Sequence, residues 1–309
     1  MKLFRLSTYR LFRPDFFAHH KKASDPFKVM VMSDLHFSYQ VTNQKLQAII
    51  KQVKTLAPDY ILMPGYLIDT LDMVDKNSER QRLLNFLKKL GQQAKVILSV
   101  GNHDMYRKPT EGQTGWQYEV ASKLFDEIRA LDNVFLLDNQ VYEDENIYCL
   151  GYTQSPKYYR ADKGIVEDMP VLLSELESLP EKYLTHLPEK KLKFTLIHSP
   201  VYLNQPEVKY LLREFDYFIS GHMHNGVMPP VLDELINSSR GLISPTKKWA
   251  PENSRNTLRT YADKLLVVGA LTTFHECIKP FNKLNAFFPS YMAKTYARKP
   301  YIKHTYKNW

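Results

Sequence analysis

The 309-residue chain is predicted to be an α/β protein, because short apolar runs of β type alternate along it with segments whose apolar residues recur at helical spacing. Hydrophobic residues make up 44% and aromatic residues 13% of the chain, which is enough for a large core and excludes a disordered protein. The two cysteines, Cys149 and Cys277, exclude a disulfide scaffold and a cysteine zinc cluster, and they fit a reducing compartment.

The predicted strands are apolar runs that end in glycine, proline or a polar residue. They cover residues 27–32, 60–63, 96–100, 134–137, 147–150, 192–197 and 217–220. The predicted helices carry apolar residues on one face, as Leu46 and Val53 do in the first of them. They cover residues 43–56, 77–90, 115–131, 171–179 and 207–214, and a closing hairpin is predicted at 258–261 and 264–271. The Tyr158-Tyr159-Arg160 stretch is expected to be a solvated loop, with a substrate lip as the alternative.

The positive charge is concentrated at the two ends of the chain. Residues 1–28 carry seven Lys or Arg and two Asp, a net charge of +5, and residues 279–309 carry seven Lys or Arg and no acid, a net charge of +7. The total of +9 therefore leaves −3 for the middle. This division predicts a basic N-terminal extension (1–26), a central domain (27–278) and a basic, aromatic C-terminal segment (279–309).

Basic residues interleaved with aromatic ones are typical of segments that bind an anionic membrane surface, and nucleic acid is a second option. The alternative is a solvated surface with the aromatic side chains folded onto the body. No apolar run reaches the ~18–20 residues of a membrane helix, and the N-terminus lacks the apolar stretch of a signal peptide. We therefore predict a cytoplasmic location, peripheral at the membrane where the ends bind it, and no protein partner.

Five of the apolar runs end in polar clusters. The clusters are Ser33-Asp34-Leu35-His36, Pro64-Gly65-Tyr66-Leu67-Ile68-Asp69, Gly101-Asn102-His103-Asp104, His198 and Gly221-His222-Met223-His224. Ligands of α/β sheets bind outside the carboxyl ends of the strands, so we expect the five clusters to converge on one crevice. Their His, Asp and Asn side chains offer nitrogen and oxygen donors without a thiol, which suits ions such as Mn, Fe, Zn or Co.

In this order, the D-x-H, G-N-H-D, strand-end His and G-H-x-H motifs resemble those of the calcineurin-like metallophosphoesterases, and within them the bacterial phosphodiesterase-like branch. The resemblance covers about residues 27–275. It implies a four-layer α/β/β/α sandwich around two mixed sheets. It also implies a dinuclear centre of two divalent cations (Mn, Fe or Zn) that hydrolyses phosphate esters.

The resemblance also implies a role for each site residue. The residues implied to hold one cation are Asp34, His36 and His224, and those implied to hold the other are Asn102, His198 and His222. His103 would be the acid or charge stabiliser near the leaving oxygen. Asp104 would orient His103.

One position departs from the family pattern. The second cluster of the family reads Gly-Asp, and that Asp bridges both cations, whereas this chain has Tyr66. A phenol with a pKa of about 10 is a poor bridge and is bulkier than a carboxylate. Three hypotheses follow. Asp69 replaces the missing carboxylate in part, as a terminal ligand beside Asp34; or one cation binds well and the other weakly; or the chain is an inactive relative retained for binding.

The leading prediction is a metal-dependent phosphoester hydrolase acting on phosphodiesters, in which two divalent cations activate water for in-line attack on phosphorus. The alternative is an impaired or non-catalytic relative that binds an anionic surface through its basic ends.

Overall fold

The structure of the chain is a computed structural model. It describes residues 4–11, 27–108, 117–119, 121–159, 167–224, 253–254, 265–268, 290–297 and 305–308. The strands are β1 (Phe4–Leu11), β2 (Lys28–Val31), β3 (Tyr60–Pro64), β4 (Lys95–Ser99), β5 (Tyr106–Arg107), β6 (Gln117–Tyr118), β7 (Val134–Leu137), β8 (Gln140–Glu143), β9 (Ile147–Tyr152), β10 (Leu192–Ile197), β11 (Tyr217–Ser220), β12 (Leu265–Val267), β13 (Ser290–Ala297) and β14 (Thr305–Asn308).

The helices that the described residues form are Asn43–Leu56, Asp72–Asp75, Asn77–Gly91, Ser122–Arg129, Met169–Glu177 and Pro206–Leu211, with 3-10 turns at Asn102–Met105 and Glu181–Tyr183. The Asn43–Leu56 helix begins at Thr42, whose side chain accepts a hydrogen bond from the amide of Lys45. Asp168 caps the Met169–Glu177 helix in the same way, through the amide of Val171.

Two mixed sheets form the centre of the fold. The larger has the strand order β14-β1-β13-β2-β3-β4-β7, and the smaller has the order β12-β11-β10-β9-β8. Strands β2, β3, β4 and β7 are parallel, and so are β9, β10, β11 and β12. Parallel neighbours bring their carboxyl ends to one edge of each sheet, where the five polar clusters begin.

Alternating side chains of the strands face two different cores. Met30 of β2 packs with apolar residues of the Asn43–Leu56 and Asn77–Gly91 helices, whereas Val29 and Val31 pack between the two sheets. The other face of the smaller sheet packs on the helices Met169–Glu177 and Pro206–Leu211 in a third apolar cluster. The order helix, sheet, sheet, helix confirms the four-layer sandwich.

Several of the predicted elements are confirmed, and others are wrong. The helix expected at 115–131 spans only Ser122–Arg129, and residues 117–118 instead pair with β5. Residues 265–267 form a strand parallel to β11, while the rest of the predicted closing hairpin lies outside the described residues, as Cys277 does. Tyr158 and Tyr159 are fully buried rather than solvated, because they fill the cluster between the smaller sheet and its helices.

The two ends of the chain add strands to the larger sheet. Strand β13 pairs with β2 in antiparallel fashion, β1 pairs with β13 in parallel, and β14 pairs with the other side of β1. These strands were not predicted, because their partners are distant in sequence. The domain boundaries at 26/27 and 278/279 stay a prediction.

Asp144 ties the two sheets together through one carboxylate. Its Oδ2 accepts hydrogen bonds from the hydroxyls of Tyr60 and Tyr142 (2.8 Å each) and from Nζ of Lys95 (2.7 Å). Burial alone would raise the pKa of Asp144, but the Lys95 ammonium and the amides of Asn146 and Ile147 outweigh it and hold the pKa well below its usual range.

Replacing Asp144 with Asn is expected to lower the free energy of unfolding by about 1–3 kcal/mol, because charge-assisted hydrogen bonds to three elements are weakened. The difference should be largest near neutral pH and shrink as the pH falls and the wild-type carboxylate is protonated. Urea unfolding at several pH values measures it, and an unchanged stability at pH 7 would contradict the role assigned to Asp144.

Candidate metal centre

The structure brings the first predicted ligand set together. One donor atom each from Asp34, His36 and His224 lies within 4.8 Å of the others. The Nε2 atoms of the two histidines are 3.2 Å apart, and Nε2 of His224 is 3.4 Å from Oδ1 of Asp34. Asp34 and His224 are buried and His36 nearly so, which leaves a compact group of one carboxylate and two imidazoles between the ends of β2 and β11.

The second predicted set is buried at the ends of β4, β10 and β11. The exposed fraction is 1% for Asn102, 0% for His198 and 5% for His222. Both amide atoms of Asn102 and the Nε2 atoms of His198 and His222 have no hydrogen-bond partner among the described residues. Buried polar atoms left in this state are costly, so a group that binds the Asn102 oxygen and the two imidazole nitrogens is expected there.

The hydrogen bonds of His198 fix which ring nitrogen is available. Its Nδ1 lies 2.8 Å from the carbonyl oxygen of Pro64. A carbonyl only accepts, so Nδ1 carries the proton and Nε2 presents a lone pair to the site. A histidine oriented in this way through its other nitrogen is typical of metal ligands. The first donor set therefore fits a divalent cation, and His198 presents a nitrogen lone pair suited to a second ligand set.

His103 and Asp104 lie in the same cluster, but they are held differently from the prediction. Nδ1 of His103 donates to the carbonyl oxygen of Asp69 at 2.6 Å. The Asp104 carboxylate, expected to orient His103, instead accepts from the amides of Gly101 (2.8 Å) and Ile68 (3.0 Å). Asp104 thus fixes the loop after β3, and the Asp69 carbonyl orients the ring.

The carboxylate of Asp69 forms an ion pair with Lys108. Oδ2 of Asp69 lies 3.5 Å from Nζ of Lys108, and the group of ligand atoms around Asp34 does not include Asp69. Asp69 also contacts the site through its carbonyl oxygen, which accepts from His103.

Tyr66 lies inside the site. Its ring centroid is 3.7 Å from that of His36 and 3.9 Å from that of His103, and it stacks on His198 at 5.6 Å. The side chain is only 7% exposed. The phenol therefore contacts members of both donor sets, at the place where the resemblance implies a carboxylate.

The loops at the site have an unusual backbone. Five site residues adopt left-handed φ angles: Asp34 (53°), His36 (47°), Tyr66 (57°), His222 (60°) and His224 (48°). Such conformations cost about 1–3 kcal/mol each and persist only where the surroundings enforce them. They turn the chain sharply at the ends of β2, β3 and β11, which points successive side chains into the crevice.

Two glycines permit the close approach of these loops. A Cβ on Gly101 would collide with the backbone nitrogen of Tyr66, and one on Gly221 would collide with the side chains of Ser33 and Asp34. The absence of a side chain on Gly221 lets the amide of His222 reach both carboxylate oxygens of Asp34, at 3.2 Å each. Gly221 thus lets the ends of β2 and β11, one from each sheet, approach closely, and Gly101 does the same for the loops after β3 and β4.

A family model described as calcineurin-like phosphoesterase matches residues 27–226 of the chain. The chain belongs to the calcineurin-like phosphoesterase family. This confirms the family predicted from the strand-end motifs. The matched range contains every residue of the two donor sets, together with His103, Asp104, Tyr66 and Asp69.

One curated relative is a Danio rerio protein named "Transmembrane protein with metallophosphoesterase domain". It is 32% identical to this chain over 88 residues, which are 28% of this chain and 18% of the relative. The chain therefore matches less than a fifth of that protein's length. Among the described residues of this family member, no helix is long and apolar enough to cross a membrane.

Solved structures that resemble the chain are distant. A dimetal phosphatase from Danio rerio is 12% identical, with 80% of this chain and 88% of that chain covered and a TM-score of 0.40. A Thermus thermophilus protein is 12% identical, with 63% and 81% covered and a TM-score of 0.40. A Streptococcus pneumoniae protein described as a predicted phosphoesterase is 12% identical, with 93% and 91% covered and a TM-score of 0.34.

One acidic residue beside the site, Glu167, was not predicted from the sequence. Glu167 is 5% exposed, and its Oε1 lies 3.5 Å from Nε2 of His222. It stands in a polar stretch with no motif around it, so the sequence contained no local signal that could have identified it.

Burial sets the charge state of the donor groups without a cation. It raises the pKa of Asp34 to about 7, although Ser33 and the amide of His222 donate hydrogen bonds to the carboxylate. Burial, followed by the neighbouring histidines, holds the pKa of His36, His198 and His224 well below the usual range. Without a cation, ionisation of Asp34 is therefore unfavourable, and the imidazoles of His36, His198 and His224 are neutral. A bound cation would stabilise the ionised carboxylate.

Replacing Asp34 with Asn should stabilise the chelator-treated protein at pH 8 by about 1–3 kcal/mol, because it removes a buried charge whose pKa is raised. A raised carboxyl pKa gives stability at low pH that is lost as the pH rises from about 4 to about 7, so the gain should be smaller at pH 5. Thermal unfolding at the two pH values is the measurement, with exposed Asp132→Asn as the matched control. A loss of stability at pH 8 would contradict the assignment.

Proposed function

We propose that this family member hydrolyses phosphodiesters with the help of two divalent cations held by the two donor sets. The observation that carries the proposal is the second set: three buried side chains at three strand ends offer lone pairs that no described residue satisfies. The first set supports it through its spacing of 3.2–3.4 Å between donor atoms.

In the proposed function the ions are manganese, iron or zinc, which accept nitrogen and oxygen ligands. When bound, such cations neutralise phosphoryl charge and lower the pKa of coordinated water toward neutrality. The chain contributes the geometry: Asp34, His36 and His224 hold one ion, and Asn102, His198 and His222 hold the other.

His103 is the proposed proton donor to the leaving oxygen. Burial lowers the pKa of His103 to about 3, so the ring is neutral near pH 7 until an anionic phosphoryl group lies beside it. The Asp69 carbonyl accepts the Nδ1 proton and favours the imidazolium, which directs the transferable proton to Nε2. This gives the Asp69 loop a positioning role in the reaction.

Tyr66 limits this activity in the proposed scheme. Its ring contacts His36 and His198, one from each donor set, and places a phenol rather than a carboxylate between them. We expect one ion to bind more weakly than the other, and hydrolysis to be slow.

Replacing Tyr66 with Asp should raise the bound metal toward two ions per chain and raise the rate of phosphodiester hydrolysis at least about tenfold. A carboxylate adds a charged ligand. Asp also tolerates the left-handed backbone at this position better than Tyr does. Elemental analysis and turnover of bis(p-nitrophenyl) phosphate are the measurements. His103→Gln in the same background should keep the metals and lose the turnover. Equal metal content and equal activity in the wild type and the Tyr66→Asp variant would show that the phenol does not limit the site.

A second candidate function is binding at an anionic membrane surface without turnover, at a cytoplasmic location. The observations that favour it are the phenol inside the site and the net +12 of the two ends, +5 in residues 1–28 and +7 in residues 279–309. In this case the fold serves as a scaffold, and the basic ends interact with lipid headgroups.

Co-sedimentation with phosphatidylserine vesicles separates the two functions. The second candidate predicts binding that weakens as salt is raised from about 50 to about 500 mM, because exposed charges are screened. A variant with Arg298→Gln, Lys299→Gln and Lys303→Gln should bind severalfold more weakly, whereas Lys88→Gln and Lys89→Gln, on a helix surface, are the matched control. Binding that ignores salt and the end substitutions would eliminate this candidate.

A further inference from the structure

The side chain of Gln154 binds both backbone groups of the residue that follows His198. Oε1 of Gln154 accepts from the Ser199 amide at 2.7 Å, and Nε2 of Gln154 donates to the Ser199 carbonyl oxygen at 3.1 Å. Gln154 is 1% exposed and Ser199 is fully buried. Because an unpaired buried polar group costs free energy, these two hydrogen bonds hold the end of β10 firmly.

The carboxamide of Gln154 takes the place of a strand's peptide group. Strands β9 and β10 pair in parallel, and their last pair is Tyr152 with Ile197. Two residues further along each strand, Gln154 stands opposite Ser199. A glutamine side chain offers the same N–H donor and C=O acceptor as a peptide, so it continues the hydrogen bonding past the point where the strand pairing ends.

The peptide bond between His198 and Ser199 is held at both of its polar atoms. The His198 carbonyl oxygen accepts from the Gly221 amide at 3.0 Å, and the N–H of the same peptide donates to Gln154. A peptide group is planar, so the two hydrogen bonds fix the plane from which the His198 side chain leaves the backbone. The Pro64 carbonyl oxygen, 2.8 Å from Nδ1, then fixes the rotation of the ring.

Two buried tyrosines hold this arrangement from behind. The hydroxyl of Tyr159 donates to Oε1 of Gln154 at 2.9 Å, and the Tyr159 ring centroid is 5.7 Å from that of His222. The hydroxyl of Tyr158 lies 3.3 Å from Oγ of Ser199. Both tyrosines are fully buried. Tyr159 therefore connects the carboxamide to a second histidine of the site.

We propose that Gln154 is the positioning residue of His198. Its carboxamide orients the peptide plane so that Nδ1 of His198 meets the Pro64 carbonyl oxygen and Nε2 keeps its lone pair for the site. The proposal rests on the proposed function only in that His198 then has a cation to bind.

Nitrogen-15 NMR of the histidine rings in the full-length, chelator-treated protein tests the proposal, because the shift of each ring nitrogen reports whether it carries a proton. His198→Gln identifies the His198 signals. In the wild type we expect a protonated Nδ1 and a proton-free Nε2. Gln154→Met keeps the length of the side chain but removes its donor and acceptor, and it should place part of the proton population on Nε2.

Tyr159→Phe is a gentler variant, which keeps the ring and removes the hydroxyl that donates to Gln154. It should move the His198 signals in the same direction by a smaller amount. Gln52→Met, on the Asn43–Leu56 helix, is the matched control and should leave these signals unchanged. Thermal unfolding in chelator establishes that each variant is folded.

Zinc titration followed at the same signals connects the proposal to the cation, since a bound zinc ion shifts the nitrogen that ligates it. Gln154→Met should weaken zinc binding at Nε2 of His198 about 10–100-fold and leave the response of His36 and His224 unchanged. Wild-type His198 signals in both variants would overturn the proposal, and so would equal changes at every site histidine, which would show a general loosening of the fold. A wild type in which zinc leaves His198 unshifted would overturn the proposed second ion, and the proton position in the chelator-treated variants would still decide the role of Gln154.

Discussion

Where the two sheets meet, buried nitrogen and oxygen atoms lack hydrogen-bond partners among the described residues. Burying them costs free energy that the protein alone does not recover, and the loops around them hold them in place. Asn102, His198 and His222 have atoms without a hydrogen-bond partner among the described residues, and burial raises the pKa of the Asp34 carboxyl to about 7. These groups would hold a divalent cation, which would compensate the cost of burying them. The left-handed loops, and the glycines that let the loops touch, hold the donors in place for it.

The balance of negative charge distinguishes the two halves of the site. The first set contains Asp34, so a cation there meets one carboxylate and two imidazoles. The second set, Asn102, His198 and His222, has no carboxylate, and a phenol lies beside His198. This asymmetry would make two unequal cation sites within one crevice.

The sequence predicted the site residues because each follows a strand within a few positions, and parallel strands must bring those positions to one edge. It did not predict the ring of Tyr66 among the histidines or the bond from Asp104 to the loop amides, since both depend on how two loops cross. Glu167 was missed because only the tertiary fold brings it to His222. Strands β1, β13 and β14 were missed because pairing between segments that are distant in sequence has no local signature.

Anomalous diffraction from crystals soaked in manganese chloride tests the central claim most directly. We predict an anomalous peak bounded by the Asp34 carboxylate and the Nε2 atoms of His36 and His224. The absence of any peak in this crevice at saturating manganese would contradict the claim that these side chains hold a cation.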